Sequence, residues 1–263
     1  MYQEKSHTLL KSKTMNTKKL LFALFCFQAF FACDTTKDTK KSTVIVADSL
    51  ANQIKKDSLP NLEEILEKQG LVNIQEVDSS IRVELKYSTT DNFFEKDVYE
   101  DLTKAYLQPD VAEQLKEASK ELQKQYPTYR LLVYDGVRPY RIQKVLWESL
   151  PAIPPKQREA FVANPEKGSI HNYGCAVDLT IFDTATDSTL DMGTKYDYFG
   201  DLAYPRKEPE MLRKKLLTQQ QIDNRLMLRN AMKNADFMPI TSEWWHFNAT
   251  TLKQAERQYY IIK

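Results

Sequence analysis

The chain has 263 residues, 42% of them hydrophobic and 11% aromatic, a composition typical of a folded globular protein that excludes a wholly disordered one. Its formal charge is +1, but residues 1–32 contain five lysines and one acid, so the rest of the chain is slightly acidic. An acidic remainder offers no basic face for nucleic acid, and we predict no nucleic-acid partner.

Residues 15–32 have the features of an export signal. Met15 and two lysines precede an apolar stretch too short to span a bilayer, and a small residue precedes Cys33. The segment resembles a bacterial lipoprotein signal, although Phe30 stands at the usual leucine position. The resemblance implies cleavage before Cys33, lipid attachment there, and a membrane-anchored protein of the cell envelope that faces the periplasm or the exterior. An uncleaved anchor is the alternative, and either Met1 or Met15 is the start.

The predicted leader, residues 1–32, is followed by a tether and one folded domain. Residues 33–59 are polar and rich in lysine and threonine, which predicts a flexible tether. Residues 60–263 are enough for a single hydrophobic core. If Cys26 leaves with the leader and Cys33 carries the lipid, Cys175 is the one remaining thiol, so we predict no disulfide within the chain.

Apolar periodicities predict the elements of this domain. Helical spacing predicts helices at residues 61–69, 109–126, 141–149 and 219–234. Alternating patterns predict strands at residues 72–77, 81–87, 129–134, 175–182, 237–240 and 244–248. Because helices come mainly before and between strands joined by hairpins, the order predicts an α+β fold with a small antiparallel sheet flanked by helices.

Two short motifs bring metal-binding side chains together in the sequence. The first is Ser-Ile-His-Asn-Tyr-Gly-Cys-Ala-Val-Asp at residues 169–178, and the second is Glu-Trp-Trp-His at residues 243–246. They hold two of the three histidines, and the third, His7, lies in the predicted leader. A catalytic zinc ion typically takes three protein ligands and leaves one position for water. The motifs therefore predict one zinc ion per chain, carried by the small sheet.

The predicted ligands are His171, Asp178 and His246. Each of these residues alone is more often a packed or capping residue, but their joint spacing favours a metal site. Gly174 permits a tight turn, so His171 can fold back over the strand face that carries Asp178. Glu243 lies three positions before His246 and shares its side only if the chain bends between them, so we predict a bend there.

Two features lie outside this pattern. The thiol of Cys175 could compete for zinc, but strand alternation turns it away from the face of Asp178, so we predict a small buried side chain. Residues 201–221 are rich in charged residues and proline and contain no motif. We interpret them as an insertion that shapes the mouth of the site.

Five sequence blocks carry a family resemblance. They are Tyr-Ser-Thr-Thr-Asp-Asn-Phe at 87–93, Asp-Gly-Val-Arg-Pro at 135–139, Ser-x-His-x-x-Gly-x-Ala-x-Asp-Leu-Thr at 169–180, Met-Gly-Thr-Lys-Tyr-Asp at 192–197 and Glu-Trp-Trp-His at 243–246. In these blocks and in their order the chain resembles the VanX-type D-alanyl-D-alanine dipeptidases, which are zinc peptidases. The blocks span roughly residues 80–248, so the resemblance covers most of the chain after its leader.

The resemblance implies a role for each candidate residue and makes residues 60–263 a catalytic domain. The implied roles are zinc ligand for His171, Asp178 and His246, catalytic base for Glu243, transition-state stabilisation for Arg138, and binding of the substrate's free amino end for Ser169, Asp197 and Tyr87. The implied reaction is the hydrolysis of D-alanyl-D-alanine or a related D,D-dipeptide.

Two other functions stay open. One is a D,D- or L,D-carboxypeptidase or endopeptidase acting on peptidoglycan stem peptides, and the other is a zinc-binding module without catalysis. Asp197 with Ser169 favours the dipeptidase, because a longer substrate has no ammonium group there. Glu243 argues against the binding module, since a structural zinc site needs no spare carboxylate. Arg138 taken alone reads as a loop residue paired with Asp135.

Overall fold

A six-stranded sheet carries the candidate residues. The computed structural model describes residues 61–159 and 161–263, which all fall within one compact unit. The predicted leader, Cys33 and the predicted tether lie outside these residues. The described strands are β1 (Val72–Asn73), β2 (Arg82–Val83), β3 (Tyr106–Leu107), β4 (Tyr129–Asp135), β5 (Ala176–Asp183), β6 (Ser188–Thr189), β7 (Met238–Pro239) and β8 (His246–Asn248).

The sheet is mainly antiparallel. Its strand order is β2-β4-β5-β8-β7, with β6 paired to β5, while β1 and β3 form a separate two-stranded sheet. Every neighbouring pair is antiparallel except β2 with β4, which is parallel. The predicted α+β fold with a small sheet flanked by helices is confirmed, and the one parallel pair at its edge is an addition to it.

Helices cover the sheet and connect its strands. They are α1 (Leu62–Lys68), α2 (Ile74–Val77), α3 (Pro109–Gln125), α4 (Tyr140–Glu148), α5 (Pro155–Arg158), α6 (Glu208–Arg213), α7 (Gln219–Asn234) and α8 (Leu252–Gln258). Short 3-10 helices occur at Lys86–Ser88, Ile170–Tyr173, Asp201–Ala203 and Pro205–Lys207. Within residues 61–159 and 161–263, no helix combines the length and the apolar character that a membrane crossing needs.

Helix α3 shows why the sequence pattern forms the predicted element. Pro109 occupies the first turn, where its missing N–H costs nothing, and Lys124 lies in the last turn, where a cation suits the helix dipole. The predicted apolar stripe is buried, and full burial of one such leucine side chain stabilises the fold by roughly 1.5–3 kcal/mol. Helix α3 packs against both β4 and α7, which fixes the core side of the sheet.

Strand β5 separates the core from the candidate site. Alternation along the strand places Val177, Leu179 and Ile181 on one face, and all three are fully buried in the core. Asp178 and Thr180 lie on the opposite face and are also buried. A carboxylate held in this way needs charged or hydrogen-bonding partners, because an unpaired buried charge is costly.

Two predicted strands are wrong over most of their length. The strand predicted at residues 72–77 ends after Asn73, because the Asn73 side chain accepts the N–H of Gln75 and caps helix α2. The strand predicted at 81–87 pairs only over β2. Its end turns inward to bury Tyr87, whose carbonyl accepts the N–H groups of Val98 and Tyr99 instead of a strand partner. The other predicted helices and strands are confirmed, with ends within two residues.

Candidate metal centre and active site

Strand pairing brings two candidate ligands side by side. Asp178 in β5 lies opposite His246 in β8, and on its other side it lies opposite Asp135 at the end of β4. The ladder between β4 and β5 shifts register before Asp135, which is an irregularity common beside active sites. Two strand neighbours therefore deliver a carboxylate and an imidazole to one face of the sheet.

A tight turn brings the third candidate ligand over the same face. His171 lies in the 3-10 helix Ile170–Tyr173, which ends at Gly174 with φ +68°. A Cβ at Gly174 would lie 2.8 Å from a methyl carbon of Leu71 and 3.2 Å from the backbone nitrogen of Gln108, so glycine is required. The turn folds His171 back to 3.4 Å between its Nε2 and Asp178 Oδ1, as predicted.

The three candidate ligand atoms form a small triangle. His246 Nδ1 lies 2.9 Å from Asp178 Oδ1, and His171 Nε2 lies 3.2 Å from His246 Nδ1. Ligand atoms around a tetrahedral zinc ion at 2.0–2.1 Å are about 3.3 Å apart. These three side chains form a group that could hold a metal ion. Their donor types and spacing fit zinc.

The outer nitrogen of each imidazole is also engaged. His171 Nδ1 lies 2.7 Å from the carbonyl oxygen of Gly136, and His246 Nε2 lies 2.7 Å from Asn248 Oδ1. Metal-binding histidines usually donate their second N–H to such an acceptor, which fixes the ring and its tautomer. These partners leave His171 Nε2 and His246 Nδ1 free to face a metal ion.

Asp178 and the histidines of the triangle affect each other's charge. Burial opposes the ionised form of Asp178, but His171 and His246 beside it hold the pKa of its carboxyl well below its usual range. Burial likewise opposes the charged form of His246, yet its bond to Asp178 raises the pKa of the imidazole to about 9. A metal ion bound at the triangle would need both imidazoles neutral at the atoms that face it, because metal ligands must be deprotonated.

Glu243 lies next to the triangle because the chain bends. The backbone bends at Trp244 and Trp245, as predicted, and puts Glu243 Oε2 3.9 Å from His246 Nδ1. The buried Trp244 secures the bend, because its indole N–H donates to Thr194 Oγ1 at 2.7 Å. Burial raises the pKa of the half-buried Glu243, and the nearby Asp178 charge raises it further.

Arg138 is paired with Asp135 and also lies near the metal triangle. Its Nη2 and Nε donate to Asp135 Oδ2 at 2.6 and 3.0 Å, as expected from the sequence alone. The same Nη2 lies 3.8 Å from Asp178 Oδ2, at the metal triangle. Burial disfavours the cation, but Asp135 raises the pKa of Arg138 well above its ordinary value. A permanently charged guanidinium therefore points into the site from a fixed position.

The residues predicted to hold an amino group, Tyr87, Ser169 and Asp197, all line one cleft. The Tyr87 hydroxyl donates to Asp197 Oδ2 at 2.9 Å. Asp197 has a left-handed backbone conformation, with φ +56°, which is rare for a residue other than glycine and concentrates at functional sites. Burial and the nearby Asp178 charge raise the pKa of Asp197 well above its ordinary value. The bond from Tyr87 and the charge of Arg138 favour the ionised form of Asp197, but they do not offset burial and the Asp178 charge.

This cleft has a volume of about 300 Å³ and is lined by most of the predicted site residues. Its lining includes Tyr87, Arg138, Ser169, His171, Asp197, Glu243 and His246. Asp178 Oδ1 lies 3.4 Å from His171 Nε2 and 2.9 Å from His246 Nδ1. A larger cavity of about 700 Å³ lies between the segments around Lys86 and Lys195, but its lining contains none of the three candidate ligands. The small cleft is therefore the candidate active site.

The predicted role of residues 201–221 is wrong. None of these residues lines the cleft in the part of the chain that the structure describes. They pack on α7, where the Glu208 carboxylate accepts bonds from Arg229 at 2.9 and 3.1 Å and lies 3.5 Å from Arg225 Nη1. The lining of the cleft instead includes Glu159 and 161–163, which carry no periodic signal.

Cys175 is a buried free thiol, as predicted. Its sulfur contacts the carbonyl oxygen of Tyr173 at 3.4 Å, away from the metal triangle. Burial raises the pKa of the thiol to about 12, so it stays protonated and is a poor metal ligand.

Replacing His246 with alanine is expected to weaken zinc binding by about 3 kcal/mol, or ~100-fold, because zinc-binding energies of roughly 10–16 kcal/mol are shared among about four ligands. Chelator competition on the metal-free protein measures the change. Wild-type protein prepared in the same way is the reference. Zinc bound equally tightly by His246→Ala would remove His246 from the ligand set.

Comparison with known proteins assigns the chain to a family. A family model described as D-ala-D-ala dipeptidase matches residues 67–261. The chain is 31% identical over 180 residues to the D-alanyl-D-alanine dipeptidase of Escherichia coli (strain K12), over 67% of this chain and 83% of that protein. It is 28% identical over 193 residues to the D-alanyl-D-alanine dipeptidase of Enterococcus faecium, over 68% and 90% of the two chains.

Two solved structures have a low similarity to this chain. The LdcB LD-carboxypeptidase aligns at 20% identity and a TM-score of 0.38, over 60% of this chain and 65% of that chain, which is less than two thirds of its length. VanYB in complex with D-alanine-D-alanine aligns at 17% identity and a TM-score of 0.31, over 58% of this chain and 76% of that chain. The family model matches residues 67–261, well over half of the chain, and by this match the chain belongs to the D-ala-D-ala dipeptidase family.

Proposed function

We propose that the protein is a zinc-dependent dipeptidase that hydrolyses D-alanyl-D-alanine or a closely related D,D-dipeptide. The observation that carries the proposal is the metal triangle of His171, Asp178 and His246 with the spare carboxylate of Glu243 3.9 Å from one ligand atom. A structural zinc site closes its fourth position and needs no such carboxylate. Membership of the family and the names of the relatives support the same substrate.

Glu243 acts as the general base in this proposal. Zinc, when bound, supplies a Lewis acid that activates water and polarises the peptide carbonyl. Glu243 takes a proton from the attacking water and returns it to the leaving nitrogen. Its raised pKa suits both tasks, since a base that is too acidic would bind the proton too weakly.

Arg138 stabilises the negative charge that develops on the peptide oxygen. Its guanidinium is fixed by Asp135 and by Gln143, whose Oε1 accepts from Nη1 at 3.2 Å. A cation held in advance needs no reorganisation during the reaction, and it acts more strongly where water is excluded. Arginine is suited to such a buried position because it stays charged there.

Asp197, with Tyr87 and Ser169, receives the free ammonium of the dipeptide. The protein itself leaves the pKa of Asp197 well above its ordinary value, and an incoming cation lowers that pKa by favouring the charged carboxylate. The presence of Asp197 in the cleft supports a dipeptidase over a carboxypeptidase or endopeptidase, since a stem peptide has an uncharged amide where the dipeptide has its ammonium.

The direct test is the release of D-alanine from D-alanyl-D-alanine by the zinc-loaded full chain. We expect turnover that stops when a chelator removes zinc and returns when zinc is restored. Zinc binding without any hydrolysis of the dipeptide or of a stem pentapeptide would instead identify a binding module. Hydrolysis of the pentapeptide alone would identify a carboxypeptidase.

We also propose that the mature protein is a lipoprotein of the cell envelope, tethered through Cys33 and facing the periplasm or the exterior. The support is the sequence of residues 15–59, with its basic start, short apolar stretch and polar continuation. The tether would hold the enzyme at a membrane surface while leaving the catalytic domain in water.

Replacing Cys33 with serine is therefore expected to move the protein from the membrane fraction to the soluble fraction, because the acyl attachment point is lost. Immunoblotting of washed membranes measures the partition. Cys26→Ser is the matched control, since Cys26 lies in the part that is cleaved off. Unchanged membrane association of the Cys33 variant would favour an uncleaved anchor.

A further inference from the structure

Tyr196 lies beside a candidate metal ligand, and the mechanism above gives it no task. Its hydroxyl donates to Asp178 Oδ2 at 2.9 Å. The other carboxylate oxygen, Oδ1, faces the two imidazoles, at 2.9 Å from His246 Nδ1 and 3.4 Å from His171 Nε2. The two oxygens of Asp178 therefore have separate partners, with one turned to the metal triangle and one turned to the tyrosine.

The tyrosine ring is held in place by other aromatic rings. Its centroid lies 5.3 Å from the ring of Tyr134, 5.5 Å from that of Trp245 and 6.2 Å from that of Tyr87. Contacts of this kind on several sides restrict rotation of the ring. The hydroxyl is therefore fixed where Asp178 Oδ2 needs a donor.

No close substitute for this donor is apparent among the described residues. The nearest cation, Arg138, has its Nη2 3.8 Å from Asp178 Oδ2, which is beyond hydrogen-bond distance. The same Nη2 is committed to Asp135 at 2.6 Å. Loss of the Tyr196 hydroxyl would leave Asp178 Oδ2 without a hydrogen bond and the carboxylate free to turn.

We propose that Tyr196 is a positioning residue that makes Asp178 a metal ligand through one oxygen only. A carboxylate can bind a metal ion through one oxygen or through both. With Oδ2 held by Tyr196, the coordination position that Oδ2 would otherwise take stays available for water, which catalysis by zinc requires. This inference rests on the proposed function, because it assumes that the triangle binds zinc.

The test compares Tyr196→Phe with Tyr134→Phe. Each variant loses one hydroxyl and keeps its ring in the same aromatic cluster, but Tyr134 makes no contact with Asp178 among its described interactions. Zinc affinity of the full-length, metal-free variants is measured by chelator competition. We expect Tyr196→Phe to bind zinc ~10- to 100-fold more weakly than wild type, as for other partners of metal ligands, and Tyr134→Phe to bind within twofold of it.

A second measurement separates positioning from packing. Cobalt is substituted for zinc, and its visible absorption spectrum reports the identity and geometry of the ligands. Tyr196→Phe should give a shifted spectrum as Asp178 Oδ2 takes the coordination position of water, while the thermal midpoint of the metal-free variant stays close to that of Tyr134→Phe.

Equal zinc affinity and an identical cobalt spectrum in Tyr196→Phe would overturn the inference. Equal losses in both variants would also overturn it, since the effect would then come from general packing. Failure of the wild-type chain itself to bind zinc would overturn the proposed function, and the role of Tyr196 with it.

Discussion

Replacing Glu243 with glutamine is expected to reduce kcat for D-alanyl-D-alanine by ~10²–10⁴-fold while the protein keeps its zinc. The amide fills the same space but cannot accept a proton from water, so transition-state stabilisation falls by roughly 3 to 5 kcal/mol. Glu243 lies near His246 but is not one of the three candidate ligands, which is why metal binding should survive. Steady-state kinetics and metal analysis on one preparation measure both effects.

The control for this variant is Glu256→Gln, which makes the same change at an exposed position in α8. It should leave kcat within about twofold of wild type, because isolated surface substitutions have small effects. Near-normal turnover by Glu243→Gln with a full complement of zinc would exclude Glu243 as the base. Loss of zinc by Glu243→Gln would instead make it a ligand.

Blocking the amino group of the substrate is expected to lower kcat/KM by a similarly large factor. Acetylated D-alanyl-D-alanine has no ammonium for Asp197, and the carboxylate is then left without its partner at the end of the cleft. The expected cost is roughly 2 to 5 kcal/mol, which corresponds to about 30- to 5,000-fold. A stem pentapeptide should be disfavoured for the same reason. Comparison of kcat/KM for the three substrates measures the discrimination.

Asp197→Asn tests whether this residue is the origin of the discrimination. Asparagine tolerates the left-handed conformation at this position and can still accept the Tyr87 hydroxyl, so the change removes mainly the charge. The variant should lose activity on the free dipeptide and keep its low activity on the blocked one. Asp187→Asn is the matched control, since Asp187 has φ +52° but is exposed in the turn between β5 and β6. Blocked peptides cleaved as well as the free dipeptide by wild type would support a carboxypeptidase.

The proximity of His171 to Asp178 in the candidate metal site could be predicted from the sequence, because this part of the arrangement is local. Gly174 lies between His171 and Asp178, and a turn followed by an alternating strand can be read from residue types alone. The bend between Glu243 and His246 was also predictable, since without it the base and the ligand would lie on different sides. The pairing of β5 with β8 could not be predicted, because it depends on contacts between distant segments.

Other features depended on side chains that local patterns do not distinguish. The alternation at residues 72–77 looked like a strand, but Asn73 caps a helix with its side chain, and a capping bond of this kind competes with strand pairing. Residues 161–163, which line the cleft, have no periodicity and could not be placed. Tyr196 stands beside Asp197 in the sequence block 192–197, yet its bond to Asp178 becomes visible only when that segment packs against strand β5.

The distance along the chain between the two histidines ties metal loading to folding. His171 and His246 are 75 positions apart, and β8 lies between β5 and β7 in the sheet. The folding chain can therefore offer a complete donor set only after its last described strand has docked. A metal ion that binds this native arrangement and not the unfolded chain shifts the folding equilibrium by mass action, by about 2.7 kcal/mol at a hundredfold excess over Kd. The supply of metal in the surroundings would thus affect the stability of the folded protein as well as its proposed catalysis.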